Sequence, residues 1–196
     1  VGAGPGDPGL ITARGLERLR SAQVVVYDAL VNPKLLREAP HDAQRIFVGK
    51  RRSEHRLEQD EINDLLVEKA KQGLRVVRLK GGDPLVFGRG AEEAAHLAQN
   101  GIDCELTPGI TSGTAVPAAA GIAVTHRQYA SSVTFVTGHE DPTKPDATVD
   151  YDGLAALVRS AGTLCFYMGT YRVREIAGEL SSRSVPGDMP VAAVSW

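Results

Sequence analysis

The sequence predicts an α/β fold in which a mostly parallel sheet is covered by helices. Short apolar runs alternate with helix-periodic segments along residues 1–107, as they do in consecutive βαβ units. Two glycine-rich stretches, 1–9 and 81–90, each precede a helix-like segment, and the second directly follows a strand-like run. Such loops are typical of the carboxyl edge of a parallel sheet, where α/β proteins bind their ligands.

Length and composition favour a soluble globular protein. The chain has 196 residues, 42% of them hydrophobic and 23% charged, which is enough for one large or two small domains. A net charge of −2 gives no electrostatic case for binding nucleic acid. No apolar run is long enough to span a membrane and no signal peptide is visible, so we expect no membrane partner and a cytoplasmic location.

The two cysteines, Cys104 and Cys165, lie in apolar strand-like runs. We therefore expect buried free thiols in a reducing compartment rather than a disulfide. Both ends of the sequence look cut, since a glycine loop begins at Val1 with no strand before it and a final strand runs directly to Trp196. We expect two domains, residues 1–107 and 108–196, the second truncated at its end.

The first glycine-rich stretch, residues 1–9, invites comparison with a dinucleotide-binding loop. The spacing fails, because a fingerprint built on Gly2 and Gly4 requires a third glycine where Asp7 stands. Pro5 also removes a backbone donor, and Asp7 would repel a pyrophosphate. A ligand with a cationic or neutral centre suits this loop better, and an ordinary tight turn into a helix is the alternative.

The next elements follow in order. Thr12 is a suitable N-cap for a helix through Arg20, and residues 24–27 read as a buried strand that ends at Asp28. Asn32-Pro33 begins a short helix, and residues 45–49 form a further strand. Lys50-Arg51-Arg52 follows that strand, and its three cations fit either an anionic substrate or a solvated basic loop.

The stretch around the second glycine loop carries the strongest signal for a ligand site. A helix is predicted over 58–72, then a strand that runs into Gly81-Gly82-Asp83-Pro84, then a helix over 91–99. The two glycines permit backbone angles that a Cβ would forbid, and Asp83 supplies a carboxylate beside them. A strand over 102–106 follows, and the domain boundary fits at residues 107–109.

The second half of the chain continues with the same kinds of element. A helix of small residues begins near Thr111, so another backbone or a ligand can approach it closely. Strands are predicted over 133–137, 164–169 and 190–194, with an acidic loop over 141–150 and a helix that ends near Leu180. The histidines and cysteines show no metal-ligand spacing, so no metal is expected.

Taken together, these motifs resemble the tetrapyrrole methylases over essentially the whole chain. The stretches that carry the resemblance, in the family's order, are Val1-Gly2-Ala3-Gly4-Pro5-Gly6-Asp7, Tyr27-Asp28, Val48-Gly49-Lys50, Arg78-Leu79-Lys80-Gly81-Gly82-Asp83-Pro84, Phe87-Gly88-Arg89-Gly90, Pro108-Gly109-Ile110-Thr111, Thr125-His126-Arg127, Val136-Thr137-Gly138-His139 and Phe166-Tyr167-Met168-Gly169. The first loop recurs across the wider family. The Gly-Gly-Asp-Pro loop with Gly-Arg-Gly, together with the Tyr-Met-Gly strand end, is much more specific to members that methylate uroporphyrinogen III.

The resemblance implies two α/β domains of the tetrapyrrole methylase type with the cofactor cleft between them, usually in a homodimer. It implies that S-adenosyl-L-methionine donates two methyl groups to pyrrole carbons of uroporphyrinogen III. The product is precorrin-2, on the route to sirohaem and cobalamin. No metal or covalent intermediate is required, because the sulfonium methyl is already activated and positioning supplies much of the rate.

The resemblance also implies a set of site residues. The cofactor contacts are Pro5, Gly81, Gly82, Asp83, Val86, Thr111, Ser112 and Met168. Asp28 is the expected proton acceptor and Lys50 the expected proton donor, although both can instead orient the substrate. The eight substrate carboxylates are expected to meet Arg89 and Arg127, because guanidinium groups bind carboxylates bidentately. Glu92 either faces the pyrrole N–H groups or is a surface helix charge.

Three other functions stay open from the sequence. One is methylation of a later precorrin, or of a protein or RNA substrate, by the same fold. Another is a nucleotide-dependent oxidoreductase, which only the first glycine loop favours and Asp7 opposes. The third is a binding module without turnover. Binding of S-adenosylhomocysteine or of NADH separates the methylase from the oxidoreductase.

Overall fold

The computed structural model describes residues 1–49, 59–139 and 149–194. It divides into two compact units, Val1–Ser112 and Gly113–Trp196. Each unit is a mixed α/β structure with a parallel sheet, so the predicted α/β class is confirmed. The predicted domain bounds, 1–107 and 108–196, stay a prediction.

The first unit contains a three-stranded parallel sheet. Its elements are α1 (Ala13–Arg20), β1 (Val24–Tyr27), β2 (Gln44–Phe47), α2 (Gln59–Lys71), β3 (Val76–Leu79) and α3 (Gly90–Gln99), with short 3₁₀ helices at Pro8–Leu10 and Pro33–Glu38. The strand order is β2-β1-β3, and Val24 pairs with Gln44 on one side and Val76 on the other. Because the strands are parallel, their carboxyl ends meet at one edge, which is where the glycine loop after β3 begins.

Local sequence signals fix where the first helices start. The Thr12 hydroxyl accepts a hydrogen bond from the Gly15 amide at 3.0 Å, so Thr12 caps α1 as predicted. Asn32 caps the following 3₁₀ helix by accepting from the Lys34 amide at 3.0 Å, and Pro33 occupies its first turn. These bonds satisfy amides that would otherwise lack partners at each helix start.

Apolar side chains cover both faces of this sheet. On one face Val25 and Leu79 pack with Leu19 of α1 and with Leu35. On the other face Val24 and Val26 pack with residues of α2, including Ile62 and Leu66. Burial on both faces explains why the central strand, β1, reads as a continuous apolar run rather than as an alternating pattern.

The second unit contains a two-stranded parallel sheet. Its elements are α4 (Ser112–Ala119), which begins at the last residue of the first unit, then β4 (Ser132–Thr137), α5 (Tyr151–Arg159), β5 (Gly162–Tyr167) and α6 (Val173–Ser181). Strand β4 pairs with β5 from Ser132–Gly162 to Thr137–Tyr167. Within the α4 segment, a Cβ added to Gly113 would lie 2.4 Å from the Tyr167 hydroxyl. The close approach at Gly113 is therefore made by an aromatic side chain rather than by another backbone, which the sequence predicts, and the ligand alternative stays a prediction.

Two predicted strands are wrong. Residues 102–106 and residues 190–194 have no regular secondary structure. Residues 102–106 form no ladder with β3 and instead border a groove of about 520 Å³ along it, with Val77 and Leu97 on the other walls. Apolar content alone does not make a strand, because a strand also requires a neighbour that is close enough to exchange backbone hydrogen bonds.

The prediction that both cysteines are buried is also wrong. Cys104 is exposed, because it lies on the irregular segment 102–106, and Cys165 is half-buried in β5. Both are free thiols. Partial burial raises the pKa of each thiol above its usual value, so neither is activated toward nucleophilic attack.

Most of the predicted acidic loop at 141–150 lies outside the described residues, as do Lys50, Arg51 and Arg52. Across the described ranges, every helix is too short or too polar to cross a bilayer. The same ranges contain no group of three or more His, Cys, Asp or Glu side chains arranged to hold a metal ion.

Candidate active site

The two glycine-rich stretches predicted separately from the sequence are joined by backbone hydrogen bonds. The Ala3 amide donates to the Lys80 carbonyl at 2.7 Å, and the Gly82 amide donates to the Gly4 carbonyl at 2.7 Å. The Gly4 amide returns a bond to the Gly82 carbonyl at 3.2 Å. Residues 1–4 therefore continue the sheet beside β3 and bring the first loop to the start of the second.

Close backbone packing explains two glycines at this edge, and backbone conformation explains a third. A Cβ added to Gly109 would lie 2.2 Å from the Gly82 carbonyl oxygen, and one added to Gly2 would lie 2.5 Å from the Gly109 Cα. Gly82 itself has φ +67, a conformation that side chains disfavour. The residues at 107–109 are thus packed directly against both glycine loops.

Asp83 ties these segments together through its carboxylate. Oδ1 accepts from the Leu85 amide at 2.8 Å and Oδ2 accepts from the Gly109 amide at 3.0 Å. The first bond closes a turn within the loop, and the second joins the loop to a segment 26 residues further along the chain. The structure therefore gives Asp83 a role in shaping the loop, in addition to the predicted cofactor contact.

Exposed apolar side chains flank the glycine backbone. Leu30 is 77% exposed, and its Cβ would lie 2.6 Å from a Cβ added to Gly81. Leu85 and Phe87 are exposed on the same loop, where Val86 is half-buried. Bare backbone between apolar side chains suits a ligand that combines flat apolar rings with polar groups, as an adenosyl group does.

Asp28 lies where the sequence predicts it, directly after β1. Its Oδ1 accepts from the Leu30 amide at 3.0 Å, and its Oδ2 accepts from Arg78 Nη2 at 3.3 Å. The Asp28 side chain is 23% exposed, so it can still contact a bound molecule. Asp28 is thus oriented from two sides at the edge that carries the glycine loop.

Behind Asp28 lies a buried charged cluster that the sequence reasoning missed. Glu93 Oε1 accepts from Lys80 Nζ at 2.7 Å, from Arg78 Nε at 3.3 Å and from Gln59 Nε2 at 3.3 Å. Burial and the Arg78 cation lower the pKa of Lys80, while Glu93 opposes that shift. A signal was present, because Arg78 and Lys80 are two apart in a strand and so share one face.

Arg89 and Glu92, both predicted to contact substrate, form an ion pair with each other. Arg89 donates to Glu92 Oε2 from Nε at 2.9 Å and from Nη2 at 2.6 Å, and both side chains are exposed. The hydrogen bonding to Glu92 raises the pKa of the Arg89 guanidinium above its usual value. The pairing is that of an i,i+3 helix-surface pair, and both interpretations of Glu92 stay open.

The remaining predicted site residues are distributed over both units. Pro5, Thr111 and Ser112 are half-buried in the first unit. Met168 and Arg127 belong to the second unit, where both are exposed. Met168 follows β5 with φ 58, a left-handed conformation that is uncommon for a side chain other than glycine. Lys50 lies outside the described residues, and the role of each of these residues stays a prediction.

The groove beside β3 is not the site that the sequence predicts. It is lined by Lys80, Pro84 and Glu93 among others, but neither Asp28 nor Gly82 or Asp83 contributes to its walls. The residues brought together at the candidate site are instead Asp28, the loop from Gly81 to Asp83, and the first glycine stretch.

Comparison with known proteins gives one family. The model of the tetrapyrrole (corrin/porphyrin) methylases matches residues 1–196. A uroporphyrinogen-III C-methyltransferase of Bacillus subtilis (strain 168) is 52% identical over the whole chain, which spans only 40% of that relative's length. An S-adenosyl-L-methionine-dependent uroporphyrinogen III methyltransferase of Methanosarcina barkeri is 50% identical over 99% of the chain and 75% of its own length.

A solved structure agrees with these relatives. It is the crystal structure of a uroporphyrin-III C-methyltransferase from Thermus thermophilus complexed with S-adenosylhomocysteine. The match covers 95% of this chain and 76% of the Thermus chain, with a TM-score of 0.77 and 38% sequence identity. The family match over the full chain and the two relatives near 50% identity lead to the same conclusion. The chain belongs to the tetrapyrrole methylase family.

Proposed function

We propose that this chain transfers methyl groups from S-adenosyl-L-methionine to two pyrrole carbons of uroporphyrinogen III, giving precorrin-2. The observation that carries the proposal is the 52% identity over the whole chain to the uroporphyrinogen-III C-methyltransferase of Bacillus subtilis. The loop from Gly81 to Asp83, beside Asp28, supports it with a site at the expected sheet edge. Because the chain spans less than half of that relative, the activity of the whole protein is part of the proposal.

The described residues fit the methyl donor. One side of Gly82 is open, since a Cβ added there would meet no atom within 4 Å, and exposed apolar side chains lie on the same loop. When bound, S-adenosyl-L-methionine supplies an activated methyl group. The task of this chain is then to align the pyrrole carbon with that methyl group and to exclude competing geometries.

Two residues are proposed to handle protons. Each methylated pyrrole carbon already carries a substituent, so methyl transfer leaves a cationic ring, and loss of a proton from another position of the macrocycle makes it neutral again. Asp28 is the proposed acceptor of that proton because its carboxylate is oriented by Leu30 and Arg78 but partly exposed. Lys50 is proposed as the donor on the resemblance alone. The first methylation and the second use the same residues on successive pyrrole rings.

Arg89 and Arg127 are proposed to bind substrate carboxylates. Arg89 is exposed and already paired with Glu92, so a substrate carboxylate would share or replace that partner. Arg127 is exposed in the loop between α4 and β4. Glu92 is proposed either to face the pyrrole N–H groups or to hold Arg89 at the helix surface.

We further propose a two-domain enzyme to which both units contribute cofactor contacts, with Met168 from the second unit. It acts in the cytoplasm as a homodimer, without metal, membrane or nucleic acid. Methylation of a later precorrin by the same fold is the alternative, and it is tested by offering each substrate separately.

The test begins with calorimetric titration of the protein with S-adenosylhomocysteine and, in parallel, with NADH. We expect binding of S-adenosylhomocysteine alone, and binding of NADH alone would contradict the proposal. Turnover of uroporphyrinogen III is then compared in Asp28→Asn and in Asp42→Asn, an exposed control. Loss of a general base predicts a fall of about 100-fold or more in Asp28→Asn, with little change in the control.

A further inference from the structure

We propose that Glu93 is a positioning residue for methyl transfer, because it holds the Arg78 guanidinium against the Asp28 carboxylate. The proposal rests on the proposed function, in which Asp28 accepts the proton. Glu93 is on α3, and its side chain is only 5% exposed and contacts Arg78 of β3. It therefore acts through Arg78 rather than on the substrate.

The Arg78 guanidinium is fixed on every edge. Nε donates to Glu93 Oε1 at 3.3 Å, Nη2 donates to Asp28 Oδ2 at 3.3 Å, and Nη1 donates to the Leu79 carbonyl at 3.1 Å. Because a guanidinium is planar and rigid, fixing the Nε edge also sets the direction of Nη2. Glu93 is therefore the charged partner that orients the donor to Asp28, together with the Val26 and Leu79 carbonyls that accept from Nη1.

Charge balance leads to the same conclusion. Two buried cations, Arg78 and Lys80, are matched by two carboxylates, Asp28 and Glu93. If Glu93 loses its charge, both cations are left with Asp28 as the carboxylate of this cluster. The Asp28 carboxylate is then drawn toward the buried cations and away from its exposed position. Buried charges without partners are costly, so this shift is strongly favoured.

The design of the variants follows from that cost. Glu93→Gln alone leaves Lys80 without its partner and can unfold the protein. We therefore use Lys80→Met as the background, in which Glu93 still pairs with Arg78. Lys80→Met alone has one cation and two carboxylates, and the double variant Lys80→Met/Glu93→Gln has one of each, so the second change leaves no buried cation without a carboxylate. Comparing these two proteins removes the charged contact of Glu93 with Arg78 in the absence of Lys80, and Glu105→Gln, which changes an exposed ion pair with Arg18, is the matched control.

The first readout is turnover of uroporphyrinogen III. Adding Glu93→Gln to the Lys80→Met background should lower kcat about tenfold, as misplacement of a catalytic group does, while KM for S-adenosyl-L-methionine changes less than about twofold. With Asp28→Asn also present, Glu93→Gln should have no further effect on the residual turnover. Equal losses with and without Asp28 would overturn the positioning role, because a merely structural defect lowers both alike.

The second readout is unfolding in urea, which needs no substrate. Glu93→Gln should lower the urea concentration at the midpoint of unfolding more when Asp28→Asn is present, because Arg78 then loses both of its carboxylate partners. Equal shifts in the two backgrounds would overturn the link through Arg78. A wild-type protein with no turnover of uroporphyrinogen III would overturn the proposed function, and the unfolding cycle would still decide whether Arg78 couples Glu93 to Asp28.

Discussion

Replacing Asp83 with alanine should weaken both the fold and the cofactor site. The carboxylate accepts two backbone amides, from Leu85 at 2.8 Å and from Gly109 at 3.0 Å. Leu85 is exposed, so its amide regains water and the loss there is about 1 kcal/mol. Gly109 is half-buried, and its bond to a charged acceptor is worth about 1.5–3 kcal/mol. The free energy of unfolding should therefore fall by about 2–4 kcal/mol.

The affinity for S-adenosylhomocysteine should fall as well, because the same bonds set the shape of the loop from Gly81 to Asp83. If about 2 kcal/mol of that ordering must be restored on binding, Kd rises about 30-fold. Urea unfolding and calorimetric titration measure the two effects, with Asp103→Asn as an exposed control in the same unit. A free energy of unfolding within about 0.5 kcal/mol of wild type, together with an unchanged Kd, would show that Asp83 does not shape this loop.

Three further predictions concern stability and are measured by urea unfolding. Gly109→Ala should lower the free energy of unfolding by about 3 kcal/mol or more, because its Cβ would lie 2.2 Å from the Gly82 carbonyl oxygen. Gly178→Ala, whose Cβ would meet nothing within 4 Å, should be neutral or stabilising by up to about 1 kcal/mol. Equal effects of the two variants would contradict the close packing at Gly109. Thr12→Ala should cost about 1 kcal/mol through loss of the α1 cap, and no change would argue against that bond. Burial lowers the pKa of Lys80, so the folded chain releases this proton at lower pH than the unfolded chain does. The stability of wild type relative to Lys80→Met should therefore rise with pH in the alkaline range, up to about pH 10.4, and a fall there would contradict the assignment.

Features with a local cause were predictable from the sequence. The Thr12 cap, the parallel strands β1 to β3 and the helix over Gln59–Lys71 depend on neighbouring residues and on hydrophobic periodicity, and the structure confirms them. The position of Asp28 at a strand end also follows from the chain order alone. The glycine loop after β3 is likewise where a strand followed by Gly81-Gly82 must place it.

Features that depend on distant partners were not predictable. Residues 102–106 have the composition of a strand, but strand formation depends on a neighbour that the sequence does not identify. Cys104 is exposed for the same reason. The Glu93 cluster was not predicted, because Glu93 lies 13 positions from Lys80 and 15 positions from Arg78 along the chain. A glutamate on a helix also ordinarily faces solvent.

The proposed methyl transfer is best tested by the mass of the product that the purified protein forms from uroporphyrinogen III and S-adenosyl-L-methionine under anaerobic conditions. We expect a product that carries two added methyl groups, with two equivalents of S-adenosylhomocysteine released, and strongly reduced formation in Asp28→Asn. An unmodified substrate recovered from a protein that binds S-adenosylhomocysteine, or methylation only of a later precorrin, would contradict the proposed methyl transfer.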